Sequence, residues 1–155
     1  MYERSDIMRI STKGRYALAA AVCMSQQHNS GEYITVLSIS EKLGISKIYL
    51  EQVFSLLKRG GLVNSVKGAQ GGYMLSRTPG QITVFDILSA VEGALFESTE
   101  DTVMEKAPDI EKAMRAAVFE RLDASLKDAL TRVTLDDLVS ETEKQKSDSI
   151  QMFYI

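Results

Sequence analysis

The chain has 155 residues, 45% of them apolar and 25% charged, the composition of one globular domain able to bury a core, so disordered and collagen-like classes are excluded. Its longest uncharged stretch, Tyr16 to Gly31, contains Ser, Gln and His and falls short of the roughly 20 apolar residues that cross a bilayer. One cysteine (Cys23) and one histidine (His28) exclude an internal disulfide, iron-sulfur or four-cysteine zinc ligation from this chain alone, and most histidine-based hydrolase chemistry.

Glu3, Arg4, Asp6 and Arg9 precede any apolar run, so no secretory signal is read and a cytoplasmic location is expected. The net charge of -3 conceals an asymmetry: residues 1–80 carry 10 Lys+Arg against 5 Asp+Glu, and residues 81–155 carry 8 against 16. A basic half followed by an acidic half suggests two tasks. All 10 glycines lie at or before Gly93, which predicts turns and a hairpin first and long helix afterwards.

In chain order, Ser11 precedes an alanine-rich run that predicts a first helix ending near His28, before Asn29-Ser30-Gly31. Tyr33 to Val36 reads as a short strand, and Leu37 to Leu43 as a second helix stopped by Gly44. Ser46 caps a third helix that ends at Arg59-Gly60, so the Gly44-Ile45-Ser46 connection has helix-turn-helix spacing. Leu62 to Val66 and Tyr73 to Ser76 form a hairpin with its tip at 67–72. Thr83-x-x-Asp86 and Thr134-x-x-Asp137 each open a short helix by a capping box. Between them, Asp109 to Val133 reads as one long helix. Its apolar stripe (Ile110, Met114, Val118, Leu122, Leu126 and others) is long enough, at about 37 Å, to pack against a second copy. Ser140 to Ser149 reads as a polar spacer carrying an apolar tip, Met152-Phe153-Tyr154-Ile155, the pattern of a peptide that docks into another protein.

The fold expected is therefore mostly α with a small β-hairpin wing. A winged helix-turn-helix DNA-binding domain occupies 8–93, a dimerisation helix and a short following helix occupy 94–139, and the spacer and tail occupy 140–155. On the third helix, Leu50, Val53, Phe54 and Leu57 share the core-facing side. Ile48, Glu51, Gln52 and Ser55 repeat that spacing on the other side, beside Lys47. A helix of this width fits the major groove, where Gln pairs with adenine and Glu accepts from the cytosine amino group, so Lys47, Ile48, Glu51 and Gln52 are the expected base readers. Ser11, Thr12, Lys13, Arg15, Ser46, Tyr49, Lys58 and Lys67 are the expected contacts to the DNA backbone. The glycine-rich 68–72 segment lacks the Gly-Lys-Ser/Thr ending of a nucleotide loop and joins two strands, so it reads as a wing tip. Cys23 sits among Ala20, Ala21, Val22 and Met24, where a packing role is the default and redox sensing the alternative. No nucleophile-base pair suggests an enzyme, and no cofactor or metal is expected.

The segments MRISTKGRYAL (8–18), YLEQVFSLLKRGGLVNSVKGAQGGYMLS (49–76) and ITVFDILSAVEG (82–93) resemble the winged-helix transcriptional regulator family of IscR, NsrR and CymR. The resemblance implies a homodimer on a near-palindromic double-stranded operator, with the third helix in the major groove and the wing near the minor groove. It also places Glu51 and Ile48 at base-facing positions, and Lys67 where the family carries a wing Arg. Cluster-bearing members hold iron and sulfur through three cysteines after the position of Gly93. Residues 94–108 contain none here, which places the chain with the cluster-free branch. Within that branch the Met-aromatic-Tyr-Ile ending is similar to that of the cysteine-metabolism repressors. By that likeness the tail would enter the active site of O-acetylserine sulfhydrylase (cysteine synthase), Ile155 and its carboxylate imitating an amino-acid substrate. The alternatives are a regulator of other genes that senses a small ligand or oxidation of Cys23, and a module acting mainly on the enzyme.

Overall fold

In the computed structural model, which describes residues 10–67, 71–93 and 100–153, the first half is a trihelical unit with a wing. Helix α1 (Thr12–Gln26) begins where Ser11 accepts a hydrogen bond from Gly14 N–H, and its small residues Ala17, Ala20 and Ala21 are buried. Alanines on the inner face let neighbouring helices approach closely. The expected strand at Tyr33–Val36 shrinks to one bridge, Ile34 to Tyr73, because Thr35 caps helix α2 (Val36–Leu43) by accepting from Ser38 N–H. Helix α3 (Lys47–Arg59) starts at Ser46, whose hydroxyl accepts from Tyr49 N–H. It buries Leu50, Val53, Phe54 and Leu57, as the 3,4 spacing requires. Gly60 stays in the right-handed region; it is Gly61, at φ 75°, that turns the chain into the wing.

Strands β1 (Val63–Ser65) and β2 (Tyr73–Leu75) pair antiparallel in the register Val63↔Leu75, Asn64↔Met74, Ser65↔Tyr73. Both are shorter than their sequence runs suggest, and the tip at 68–70 lies outside the described residues. Helix α4 (Val84–Val91) opens with the full capping box, Asp86 N–H to Thr83 at 3.1 Å and Thr83 N–H to Asp86 at 3.0 Å. Its apolar face, Ile87, Leu88 and Val91, closes the core under α1 and α3.

The long helix of the second half runs as α5 (Pro108–Met114), a π-turn (Arg115–Phe119) and α6 (Glu120–Thr131). The π-turn was not foreseen; its wider turn inserts a residue and re-registers the apolar stripe. Ile110 (59% exposed), Val118, Phe119 and Leu122 (61%) face away from this chain's core. Lys127 lies 5.7 Å from the Phe85 ring centre and links α6 to α4.

Helix α7 (Leu135–Phe153) departs most from expectation. The sequence predicts a short helix followed by a polar, solvated spacer, yet Ser140–Ser149 is helical throughout. Polar is not the same as extended: the segment holds no Gly or Pro, Gln145 bonds Glu141 at 2.9 Å, and Lys146 meets Glu143 at 3.4 Å. Glu, Lys and Gln are good helix formers and such pairs add to them. The expected boundary at 139/140 thus falls inside α7. Its start is sewn to α4 by a Thr83–Thr134 bridge, with Val84 N–H on Val133 O at 2.8 Å and Leu135 N–H on Ile82 O at 2.9 Å. Leu135 is wholly buried in the core of the first half. No described helix is long and apolar enough to cross a membrane.

Candidate nucleic-acid interface

Burying one face of α3 leaves the other in solvent, and Lys47, Glu51, Gln52 and Ser55 are all exposed there. Ile48, 70% exposed, is an apolar side chain held in water at the amino end of this helix. Such a group suits contact with a thymine methyl. Lys47 Nζ stands 3.9 Å from Glu51 Oε1, with both side chains more than half exposed. An ion pair this open contributes little and yields readily to a better partner.

Between α3 and the wing runs a groove of about 850 Å³, floored by Thr35, Val36 and Leu37 at the start of α2 and walled by Lys47, Glu51 and Ser55 on one side and by Ser65, Val66 and Gly71 to Tyr73 on the other. Phe54 and Tyr73 stack beneath it with ring centres 4.6 Å apart. Of the predicted site residues, only Lys47 and Glu51 line the groove. Thr35 and Ser65 were missed. The Thr-Val-Leu-Ser start of α2 is an N-cap signal that could have marked Thr35; nothing in the sequence singles out Ser65.

The predicted backbone contacts are spread more widely. Lys58 lies eleven residues from Lys47, about 16 Å along the helix axis, and Lys67 is exposed at the edge of the wing tip. Tyr49 is half-buried, edge-on to Tyr16 with ring centres 5.2 Å apart, which sets the first turns of α1 beside the start of α3. Thr12 and Arg15 are exposed and Lys13 is half-buried on that turn of α1. Ser11 is otherwise engaged. Its hydroxyl accepts from Gly14 N–H and donates its only proton to the Glu92 carboxylate, so in this conformation it has no donor left for a phosphate. Sequence reading did not pick out Glu92, and no local pattern links residues so far apart.

Cys23 is 5% exposed, and burial pushes its thiol above the ordinary range, an effect only partly offset by the Lys42 ammonium. Buried, protonated thiols react slowly. The tail residues Met152 (79%) and Phe153 (91%) are exposed at the end of α7, while Tyr154 and Ile155 lie outside the described residues.

A helix-turn-helix with a solvent-facing second helix, followed at once by a two-stranded wing, defines a winged-helix DNA-binding regulator. Residues 10–141 match the model of the Rrf2 family, described as an iron-dependent transcriptional regulator, and the chain belongs to that family. It is 37% identical over 148 residues to the HTH-type transcriptional regulator CymR of Bacillus subtilis, covering 96% of this chain and 100% of that one. Among solved structures it resembles T. potens IscR (TM-score 0.69, 33% identity, 90% of this chain and 91% of the other). It also resembles CymR, the global cysteine regulator of B. subtilis (TM-score 0.68, 34% identity, 87% and 98%). The chain is thus a regulator and not an enzyme. The family's iron does not fit this donor set: the sequence has one cysteine, which lies in the core, and no group of three or more His, Cys, Asp or Glu among the described residues could hold a metal ion.

Proposed function

We propose that this regulator acts as a homodimeric repressor of cysteine and sulfur metabolism genes, binding a near-palindromic operator and responding to cysteine synthase through its C-terminal tail. The observation that carries the reading is the full-length likeness to a cysteine regulator, in a chain that lacks the thiolates for cluster sensing. Lys47, Ile48, Glu51 and Gln52 read base edges in the major groove. Thr12, Lys13, Arg15, Ser46, Tyr49, Lys58 and Lys67 hold the backbone, and Ser11 joins them when its hydroxyl is released. Two copies pair through the exposed stripe on α5 and α6, an apolar surface that water disfavours.

The exposed end of α7 supports the tail reading, because the apolar side chains of Met152 and Phe153 stand largely uncovered in solvent there. An enzyme that prefers the DNA-bound state of the repressor strengthens operator binding by the same coupling free energy, and O-acetylserine in the enzyme site reverses it by displacing Ile155. Burial of Cys23 works against the alternative of thiol sensing.

The test is fluorescence polarisation of a labelled promoter fragment from neighbouring sulfur genes, with the protein alone, with cysteine synthase, and with enzyme plus O-acetylserine. Binding raised by enzyme and reversed by O-acetylserine is expected, and deletion of Phe153 to Ile155 should remove only the enzyme response. An unchanged enzyme response in the truncated protein would rule out the tail. Binding indifferent to both additions would rule out the partner.

A further inference from the structure

Glu92 is the C-cap of α4, the residue before Gly93 and the connection to the long helix, and its carboxylate reaches back over the start of α1. Oε1 accepts Ser11 N–H at 3.0 Å and the Ser11 hydroxyl as well. The first turn of α1 contains no acidic residue, so a carboxylate from elsewhere in the chain stands at the positive end of this helix. Gly14 makes room for it: a Cβ there would collide with Oε1, so a side chain would expel the carboxylate. The same turn presents Thr12, Lys13 and Arg15, and the Tyr16–Tyr49 contact fixes it beside the amino end of α3.

We propose that Glu92 is an internal competitor of DNA phosphate. Its carboxylate occupies the two Ser11 donors that a backbone phosphate would take, and it places a negative charge among the cations that would meet that phosphate. Affinity for DNA is then set by where the end of α4 holds this carboxylate, and withdrawing it frees Ser11 N–H and O–H together. The geometry gives the end of α4 a direct route to the first turn of α1, with no change in the base-reading helix. This inference rests on DNA binding by the first half.

The experiment measures polarisation of a labelled operator and of a random duplex of equal length, at low and high salt, for wild type, Glu92→Gln, Glu92→Ala, Ser11→Ala and the Ser11→Ala/Glu92→Ala pair. Gln keeps the size of the side chain and removes its charge. Both Glu92 variants are expected to bind both duplexes about two- to fivefold more tightly at low salt, the range of a single charge at a helix terminus, with the gain fading as salt rises. Ser11→Ala should lower affinity more in the Glu92→Ala background, where the hydroxyl is free for phosphate, than in wild type, where the carboxylate occupies it. Equal or weaker binding by Glu92→Gln while wild type binds, or a gain confined to the operator, overturns the competitor role and leaves the DNA-binding reading intact. Failure of wild type to bind either duplex overturns that underlying reading instead.

Discussion

Phe54 and Tyr73 stack at 4.6 Å with their rings inclined by 30°, joining the buried face of the recognition helix to the second strand of the wing. Tyr73 also exchanges both backbone hydrogen bonds with Ile34, at 2.8 and 2.9 Å, ahead of α2. One ring pair and one bridge therefore fix the angle between helix, wing and groove. Because Phe54 is wholly buried, Phe54→Ala should cost about 3–5 kcal/mol in a urea titration. Tyr73→Ala, at a half-buried position, should cost less stability and weaken DNA binding by letting the wing swing. Unchanged affinity in a folded Tyr73→Ala protein would show that the wing does not touch DNA.

Base readers and phosphate contacts separate in their response to sequence and salt. Gln52→Ala and Glu51→Ala should relax base preference by about 1–3 kcal/mol at single operator positions, seen by competition with point-mutated duplexes. Lys13→Ala should weaken all duplexes alike and lower the magnitude of the salt slope by about one.

The exposed stripe predicts a monomerising substitution. Leu122, 61% exposed in the single chain, becomes Glu in Leu122→Glu at little cost to the fold of one subunit, while two copies would bury like charges. Sedimentation should show half the wild-type mass with helical content kept. A dimer of undiminished stability would place the interface elsewhere.

Cys23 offers a test by pH. A thiol whose pKa is raised on folding stabilises the folded state fully below its unfolded value, and that contribution is lost as pH rises through the folded value. Alkylation by iodoacetamide should be slow in the native protein and rise steeply in denaturant, and stability should fall across the alkaline range less in Cys23→Ala than in wild type. Fast native alkylation would return Cys23 to consideration as a sensor.

Where a periodic pattern is unambiguous, as in Leu50, Val53, Phe54 and Leu57, sequence alone orients the helix; the two Thr-x-x-Asp boxes are equally legible because both halves of each bond lie within four residues. What escaped the sequence depends on distance or on competition between plausible states. The Ser11–Glu92 contact spans 81 positions. The helical state of Ser140–Ser149 was hidden because a solvated polar face and a solvated coil share one composition, and only the side-chain pairs along α7 decide between them. The strand expected at Tyr33–Val36 lost to the Thr35 cap, a local hydrogen bond outweighing β propensity.

The Thr83–Thr134 bridge and the buried Leu135 bear on how this protein comes into being on the ribosome. The core of the DNA-binding half is closed by a residue 44 positions beyond the last turn of α4, so it stays incomplete while the acidic half is still being synthesised. Contacts of such long sequence separation form late, and a nascent chain stalled after Gly93 would present Ile82 and Ile87 to chaperones instead of a finished operator-binding surface. The winged-helix core of this chain is therefore complete only once translation has passed Leu135.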